Sequence, residues 1–161
     1  MYIDAIDLPR QATRLFEMQR AAYRVEAELI GDGRIPTLHE TLEEMLAAPL
    51  QWRAAYETAV DNDPDVVVGA IAWTVDEVLD IDRLFVAPSA ARRGAGRALV
   101  TAALDAAGPL AVIVSTGRDN LPALMLYESL GFVRDSDVEV LGGLWVTQLR
   151  RPPEARCPGD G

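Results

Sequence analysis

A strand, a loop with two glycines, a helix and a second strand follow one another in the middle of this sequence. Residues 79–86 alternate apolar and polar side chains, residues 94–107 are apolar at helical spacing, and residues 110–114 are all apolar. Strands and helices that alternate along a chain pack as a sheet with helices on its faces. The unit therefore predicts an α/β protein with a mixed sheet.

The rest of the chain supplies further elements of both kinds. Asp7 is a helix N-cap with Pro9 in the first turn, and Gly31 ends that helix. Thr37 and Glu40 have capping-box spacing and predict a second helix that runs to about residue 48. The other predicted elements are strands at 2–6, 51–59 (with helix as the alternative), 66–75, 132–140 and 144–149, and a helix at 121–130.

These elements predict one domain over residues 1–150. Residues 151–161 are rich in Pro, Gly and charge and predict a disordered tail, which contains Cys157. A single cysteine forms no internal disulfide, and residues 1–8 lack the pattern of a signal peptide. We therefore expect a reduced, cytoplasmic protein. The acidic turn at residues 61–65 lacks the glycine and glutamate of a calcium loop, so we expect a hairpin loop and no metal.

Charge is distributed unevenly along the 161 residues. The formal net charge is −10, with 17 acidic residues and 7 arginines in residues 1–83 and 8 of each in residues 84–161. Duplex nucleic acid and anionic membrane are poor partners for such a chain. All 15 basic residues are arginine, which excludes Schiff-base catalysis and a Walker A lysine. The acidic half is suited to a cationic ligand, although surface acids also serve solubility alone.

The loop after residue 86 has the chemistry of an anion site. Gly94 and Gly96 open a helix whose first amides point outward, and the arginines Arg92, Arg93 and Arg97 surround them. This pattern predicts an oligophosphate site, with an ordinary glycine-started helix as the alternative. A dinucleotide fingerprint is disfavoured, because Leu99 stands where its third glycine belongs.

A second motif, over residues 120–132, narrows the choice of ligand for the glycine loop. Its sequence, Asn-Leu-Pro-Ala-Leu-Met-Leu-Tyr-Glu-Ser-Leu-Gly-Phe, is similar to the Asn-x-x-Ala-x-x-Leu-Tyr-x-x-x-Gly-Phe signature of the GNAT superfamily of acyl-CoA N-acyltransferases. The glycine loop resembles the Arg/Gln-x-x-Gly-x-Gly/Ala motif of the same family. One position departs from that motif, since Ala91 stands where Gln or Arg is usual.

The resemblance implies the GNAT fold, a mostly antiparallel sheet of six or seven strands with about four helices. The sheet is expected to splay between the fourth and fifth strands, where acetyl-CoA binds as a cosubstrate. One backbone amide of the fourth strand would stabilise the oxyanion that forms on the thioester. The residues expected to bind CoA are Leu84, Phe85, Val86, Arg92, Arg93, Gly94, Ala95, Gly96, Arg97, Asn120 and Ala123.

The resemblance also assigns catalytic roles. Tyr127 matches the tyrosine that protonates the departing thiolate, with a plain core aromatic as the alternative. Asp80, Asp82 and Glu26 are the candidate general bases. Asp80 and Asp82 share one face of their strand, opposite Leu79, Ile81 and Arg83, while Glu26 lies on the apolar side of the first helix. The chain's one histidine, His39, is expected at the surface.

We therefore expect an N-acetyltransferase in which an amine, of a small molecule or a peptide, attacks acetyl-CoA directly in a ternary complex. A cationic acceptor fits the acidic half of the chain. The sequence leaves open a homodimer and a non-catalytic acyl-CoA-binding module on the same fold. A nicotinamide-dependent oxidoreductase is the weaker alternative.

Overall fold

Seven strands form one sheet in the computed structural model, which describes residues 1–61 and 64–153. The spatial order is β1-β2-β3-β4-β5-β7-β6. The strands are β1 (Tyr2–Asp4), β2 (Gln51–Glu57), β3 (Val66–Val75), β4 (Leu79–Val86), β5 (Val112–Gly117), β6 (Val133–Leu141) and β7 (Leu144–Arg151). All neighbours are antiparallel except β4 and β5, which are parallel. The mixed α/β sheet predicted from the sequence is confirmed.

Helices cover both faces of this sheet. The helices are α1 (Leu8–Ile30), α2 (Pro36–His39), α3 (Leu42–Ala47), α4 (Ala95–Ala107) and α5 (Leu121–Ser129), with a 3₁₀ turn at Pro88–Ala90. One apolar core lies under α4 and α5, and a second lies under α1 and α3. As expected, the Asp7 carboxylate accepts a hydrogen bond from the Arg10 amide, and α1 ends at Gly31 with φ +69°.

The second predicted helix is broken in two, and the prediction that Thr37 caps it was wrong. Glu40 is extended, with φ −64° and ψ 141°, and Thr41 caps α3 by accepting a hydrogen bond from the Glu44 amide. Thr41 and Glu44 repeat the spacing that was assigned to Thr37 and Glu40. The Glu40 carboxylate instead accepts a hydrogen bond from Arg83 of β4. That long-range contact holds its backbone out of the helix.

The sheet splays between β4 and β5 because these strands pair over three residues only. Leu79, Asp80 and Ile81 lie opposite Val112, Ile113 and Val114, and beyond these positions the two strands diverge.

β5 continues to Gly117, so the predicted strand at 110–114 with a loop from residue 115 was wrong. Residues 115–117 pair with β7, which extends the strand through Ser115 and Gly117, although glycine is depleted in strands.

A bulge in β4 reverses the direction of its side chains at Asp82. Trp73 of β3 lies opposite Ile81 and Ala72 lies opposite Arg83, which leaves Asp82 as the extra residue. Ile81 therefore packs into the core under α4 and α5, whereas Arg83 contacts Gln19 of α1. The prediction that Arg83 shares a face with Leu79 and Ile81 was wrong, because strict alternation ends at a bulge.

Two parts of the chain lie outside the described residues. They are residues 62–63 of the acidic turn and residues 154–161, which include Cys157 of the expected tail. Arg151 itself is the last residue of β7.

Within the described ranges, none of the helices is long and apolar enough to span a bilayer. In the same ranges, no three His, Cys, Asp or Glu side chains are grouped as metal ligands.

Candidate active site

A cavity of about 540 Å³ opens where β4 and β5 separate. Its walls come from the bulge region of β4, from the end of β5, from the inner face of α1 and from the first turns of α5. The tip of the β6–β7 hairpin and the α1–α2 loop close its far end. The cavity thus lies at the splay that the sequence resemblance implied.

Tyr127 on α5 lines this cavity and is 4% exposed. Its ring packs edge-on against Phe132 with the ring centroids 5.3 Å apart. Burial, reinforced by the charges of Tyr23 and Glu26, raises the pKa of Tyr127 well above its usual value. The side chain is therefore a neutral phenol over the whole physiological range, in contact with both the core and the cavity.

Asn120 caps α5, which is one of the two roles that the sequence left open for it, and its contact with CoA stays a prediction. Its side-chain oxygen caps α5 by accepting a hydrogen bond from the Ala123 amide at 3.3 Å, and its Nδ2 donates to Thr116 Oγ1 at 3.3 Å. Asn120 and Ala123 both line the cavity. The cap fixes the direction of the amide group, which makes it a rigid polar contact for a ligand in the cavity.

The three candidate bases occupy different environments. Glu26 lines the cavity and accepts hydrogen bonds from Thr116 Oγ1 at 3.2 Å and from the Gly117 amide at 3.3 Å. Asp82 also lines the cavity, but it is ion-paired with Arg83 at 2.8 Å. Asp80 lies outside the lining, and burial followed by the charge of Asp82 raises the pKa of its carboxyl. The cavity therefore brings Glu26 and Asp82 together with Tyr127 and excludes Asp80.

Tyr23 is a cavity residue that sequence reasoning missed. It lies one turn before Glu26 on α1, and its ring packs edge-on against Phe85 at 6.5 Å. Burial, with the charge of Glu26, raises its pKa, while the nearby charge of Arg83 acts in the opposite direction. The only sequence signal was helical spacing on the apolar face of α1, which equally describes a core tyrosine.

Arg83 is a buried cation in the wall of the cavity. Its Nη1 donates to Gln19 Oε1 at 3.1 Å and to Glu40 Oε2 at 2.5 Å, and its guanidinium lies over the Trp52 ring. Burial lowers the pKa of Arg83, but the hydrogen bonds to Glu40 and Asp82 outweigh it and raise the pKa overall. This network fixes the β4 bulge against α1 and the α2–α3 break.

The glycine loop presents free backbone donors at the start of α4. The first helical hydrogen bond runs from the Ala98 amide to the Gly94 carbonyl, which leaves the amides of Ala95, Gly96 and Arg97 without an acceptor inside the helix. Gly94 has φ +84° and provides no side-chain cap. Arg92 also has a positive φ, +63°, which is unusual for a residue with a side chain.

The arginines of this loop contact different side chains. Arg93 is ion-paired with Glu57, and Arg97 donates from Nη2 to Ser129 Oγ at 2.7 Å. The loop follows Val86, two residues beyond the cavity-lining Leu84.

The three expected CoA-binding residues of β4 differ in the direction of their side chains. The Phe85 side chain is 2% exposed in the core under α1, and that of Val86 packs toward α4. The burial of Phe85 leaves only its backbone available to a ligand, whereas Leu84 lines the cavity.

A hydrogen-bonded clasp, formed by Asp32, Arg34 and the Gly142 carbonyl, joins the two segments at the far end of the cavity. Arg34 Nη2 donates to the Gly142 carbonyl at 2.8 Å, and the guanidinium pairs with Asp32. His39, as expected, is exposed, and its Nε2 lies 2.6 Å from the Gly33 carbonyl.

The cavity, the glycine loop and the splayed sheet together match a described protein family. The sequence model of the acetyltransferase (GNAT) family matches residues 14–132. The chain belongs to the GNAT acetyltransferase family. It is also 30% identical over 147 residues to the UPF0157 protein YqkA of Bacillus subtilis (strain 168). That alignment covers 90% of this chain but only 41% of YqkA, so the chain spans about two fifths of its relative.

Solved structures share the whole fold. The ribosomal-protein-S18-alanine N-acetyltransferase of Escherichia coli superposes with a TM-score of 0.72 at 15% identity, covering 98% of this chain and 96% of that one. The yncA protein of Salmonella typhimurium, solved with its cofactor acetyl-CoA, gives 0.69 at 16% identity, covering 100% and 99%. Both likenesses establish the GNAT fold.

Proposed function

We propose that this chain is an N-acetyltransferase that moves an acetyl group from acetyl-CoA to a primary amine by direct attack in a ternary complex. One observation carries the proposal. Tyr127, Asn120, Glu26 and Leu84 converge on a single cavity at the splay of β4 and β5. Such convergence of buried titratable groups with fixed polar contacts is typical of catalytic sites.

In this proposal CoA lies along β4 with its pyrophosphate at the start of α4. The free amides of Ala95, Gly96 and Arg97 donate to the phosphates, and the helix dipole adds to the attraction. The pantetheine runs past Leu84 and Val86 toward Asn120. Its two amides are chemically suited to the polar backbone groups that β4 and β5 leave unpaired beyond Ile81.

The reaction then needs three protein groups. The amine nitrogen attacks the thioester carbon, and the carbonyl oxygen takes up negative charge that the Leu84 amide stabilises. Collapse of this intermediate breaks the C–S bond, and the sulfur takes the proton of Tyr127. The same dry environment that raises the pKa of Tyr127 also disfavours a free thiolate, so the proton transfer remains feasible. Tyr127 afterwards regains a proton from Glu26 or solvent.

We propose Glu26 as the base that takes the proton of the attacking amine, directly or through a water. It faces the cavity and is held by two hydrogen bonds from the end of β5. Asp82 is the weaker candidate because its carboxylate is engaged by Arg83, and Asp80 is weaker still because it lies outside the cavity lining.

The acceptor is proposed to be a cationic amine. Four carboxylates line the cavity, at Glu26, Glu40, Glu44 and Asp82, and Arg83 offsets part of their charge. An excess of negative charge in a cleft attracts cations and raises their local concentration. Polyamines, aminoglycoside-like amines and peptide amines share this chemistry. YqkA is longer than this chain. We extend the same proposal to any longer protein that contains this domain.

A non-catalytic acyl-CoA-binding module is the second candidate. Ala91 removes a side chain that the family motif usually supplies, and Arg93 and Arg97 are already engaged by Glu57 and Ser129. These contacts would weaken the phosphate site without removing its backbone donors.

The test combines calorimetry with acetyl-CoA and a thiol-release assay over cationic, neutral and acidic amines. We expect turnover with cationic amines, and a kcat lower by roughly a hundredfold in Tyr127→Phe with acetyl-CoA affinity retained. Tyr56→Phe is the matched control, since the Tyr56 hydroxyl donates to the Ala5 carbonyl outside the cavity. Binding without turnover for every amine would favour the module, and turnover of neutral or acidic amines alone would refute the cationic acceptor.

A further inference from the structure

The hydroxyl of Thr116 connects the Glu26 carboxylate to Asn120. Thr116 Oγ1 donates to Glu26 Oε1 at 3.2 Å and accepts from Asn120 Nδ2 at 3.3 Å. The Gly117 amide donates to the same Glu26 oxygen at 3.3 Å. A chain of hydrogen bonds therefore runs from α1, across the end of β5, to the N-cap of α5.

The direction of these bonds is fixed by chemistry. The carboxylate can only accept, so the single hydroxyl proton of Thr116 points to Glu26 and its lone pairs face the Asn120 amide. Thr116 is 9% exposed and lies opposite Thr147 in the β5–β7 ladder, so its backbone is held in place. A buried hydroxyl that both donates and accepts a hydrogen bond within the protein orients its partners more strongly than one that also bonds to water.

We propose that Thr116 is a positioning residue that holds the Glu26 carboxylate in its catalytic orientation and couples it to the CoA contact Asn120. The inference rests on the proposed role of Glu26 as the base. A donor fixes the direction of a carboxylate, so removal of the Thr116 hydroxyl takes away one of the two hydrogen bonds that hold Glu26 Oε1. It also releases the carboxylate to turn away from the attacking amine.

The charges around Glu26 stay unchanged when Thr116 is replaced. The titratable and charged groups that share its cavity are Tyr23 on α1, Glu40 and Glu44 at the α2–α3 segment, Asp82 and Arg83 on β4, and Tyr127 on α5. The hairpin contributes only apolar residues to the lining, at Val140, Leu144 and Val146. A change in kcat can thus be assigned to the lost hydrogen bond.

The experiment compares pH profiles of kcat for Thr116→Val, Thr116→Ser and Glu26→Gln in the full chain. Valine keeps the branched shape that suits a strand, and serine keeps the hydroxyl. We expect Thr116→Val to lower kcat about tenfold across the profile, with acetyl-CoA affinity within about threefold. Thr116→Ser should restore the profile.

Thr147→Val is the matched control. Thr147 is also a buried strand threonine, and its hydroxyl donates to a carboxylate, Asp137 Oδ1, at 2.7 Å. The Thr147→Val substitution should leave the pH profile of kcat unchanged. If Thr116→Val proves poorly folded by circular dichroism, Thr116→Ala supplies the same comparison.

The two proposals fail in different ways. An active Glu26→Gln would refute Glu26 as the base, and the role of Thr116 with it. An inactive Glu26→Gln beside a Thr116→Val variant with wild-type kcat would leave the base intact and overturn the positioning role alone.

Discussion

Tyr127 keeps its proton because the burial that hides its ring from water also removes the solvent that would stabilise a phenolate. Its pKa is raised, with the charges of Tyr23 and Glu26 adding to the effect of burial. The unfolded chain releases this proton near pH 10. Folding therefore becomes less favourable as the pH rises above about 10, because the unfolded state gains the more stable anion.

The raised pKa of Tyr127 predicts the alkaline part of the rate profile. Between about pH 8 and 10 we expect no fall in kcat from ionisation of this phenol, since it stays protonated there. The measurement is kcat against pH in the wild type and in Tyr127→Phe. An alkaline fall in the wild type that vanishes in Tyr127→Phe would contradict the prediction.

Gly117 illustrates how closely α1 approaches the end of β5. A Cβ atom at this position would lie 2.7 Å from Ile30 Cγ2 and 3.5 Å from Glu26 Oε1. Gly117→Ala should therefore destabilise the protein by about 1–3 kcal/mol, because a branched side chain has little freedom to move away. Urea unfolding provides the measurement.

Gly33→Ala is the control for that substitution. A Cβ at Gly33 meets nothing within 4 Å, and its φ is not in the left-handed region. Its effect on the free energy of unfolding should stay within about 0.5 kcal/mol. Equal effects of the two substitutions would show that the approach of α1 to β5 is looser than the structure indicates.

At the level of elements, local pattern was enough to set the bounds of elements that end at clear turn or capping residues, even for β4 with its bulge. The strands β3 and β4 were predicted to the residue, because alternating or continuous apolar residues end at clear turns. The start and end of α1 were likewise fixed by Asp7 and Gly31. Both signals are local in sequence, so the rest of the fold did not need to be known.

The predictions of helix and strand bounds were wrong where contacts with residues distant in sequence determine the local backbone conformation. Glu40 left the helix for Arg83, and residues 115–117 became a strand by pairing with β7. Of the candidate site, Tyr127, Asn120 and Glu26 were found by motif and position. Tyr23, Thr116 and Arg83 were missed, because their contribution depends on the bulge at Asp82 and on the splay, which single-sequence patterns do not encode.

The clasp between the α1–α2 loop and the β6–β7 hairpin is expected to respond to acid. Arg34 lowers the pKa of Asp32 to about 2, so the ion pair stabilises the fold fully above the unfolded pKa near 4 and is lost as the pH falls toward 2. Arg34→Met should return the Asp32 titration toward 4, as followed by NMR. Arg134→Met, which breaks an exposed pair with Glu128, should leave that titration where it is.

On the scale of the whole molecule, the uneven charge predicts a salt effect on acceptor use. The half of the chain with a net charge of −10 contributes Glu26, Glu40, Glu44 and Asp82 to the cavity. Between about 0.05 and 0.5 M salt we expect kcat/KM for a cationic amine to fall about threefold or more, since screening weakens the attraction. A neutral amine serves as the comparison, and an equal fall for both would remove the electrostatic explanation.

Because β4 pairs with β5 over only three residues, the remaining parts of these two strands have unpaired edges that face each other across a gap inside the molecule. Backbone amides beyond Ile81 and Val114 lack strand partners across the gap, and such amides exchange their hydrogens readily when water fills it. Bound acetyl-CoA would cover both edges at once. We expect it to slow amide hydrogen exchange in residues 84–86 and at Ser115, whereas the Gly117 amide already donates to Glu26. Exchange at Leu79–Ile81, already paired on both sides, should change little, and this contrast would show that the ligand takes the place of a missing stretch of strand.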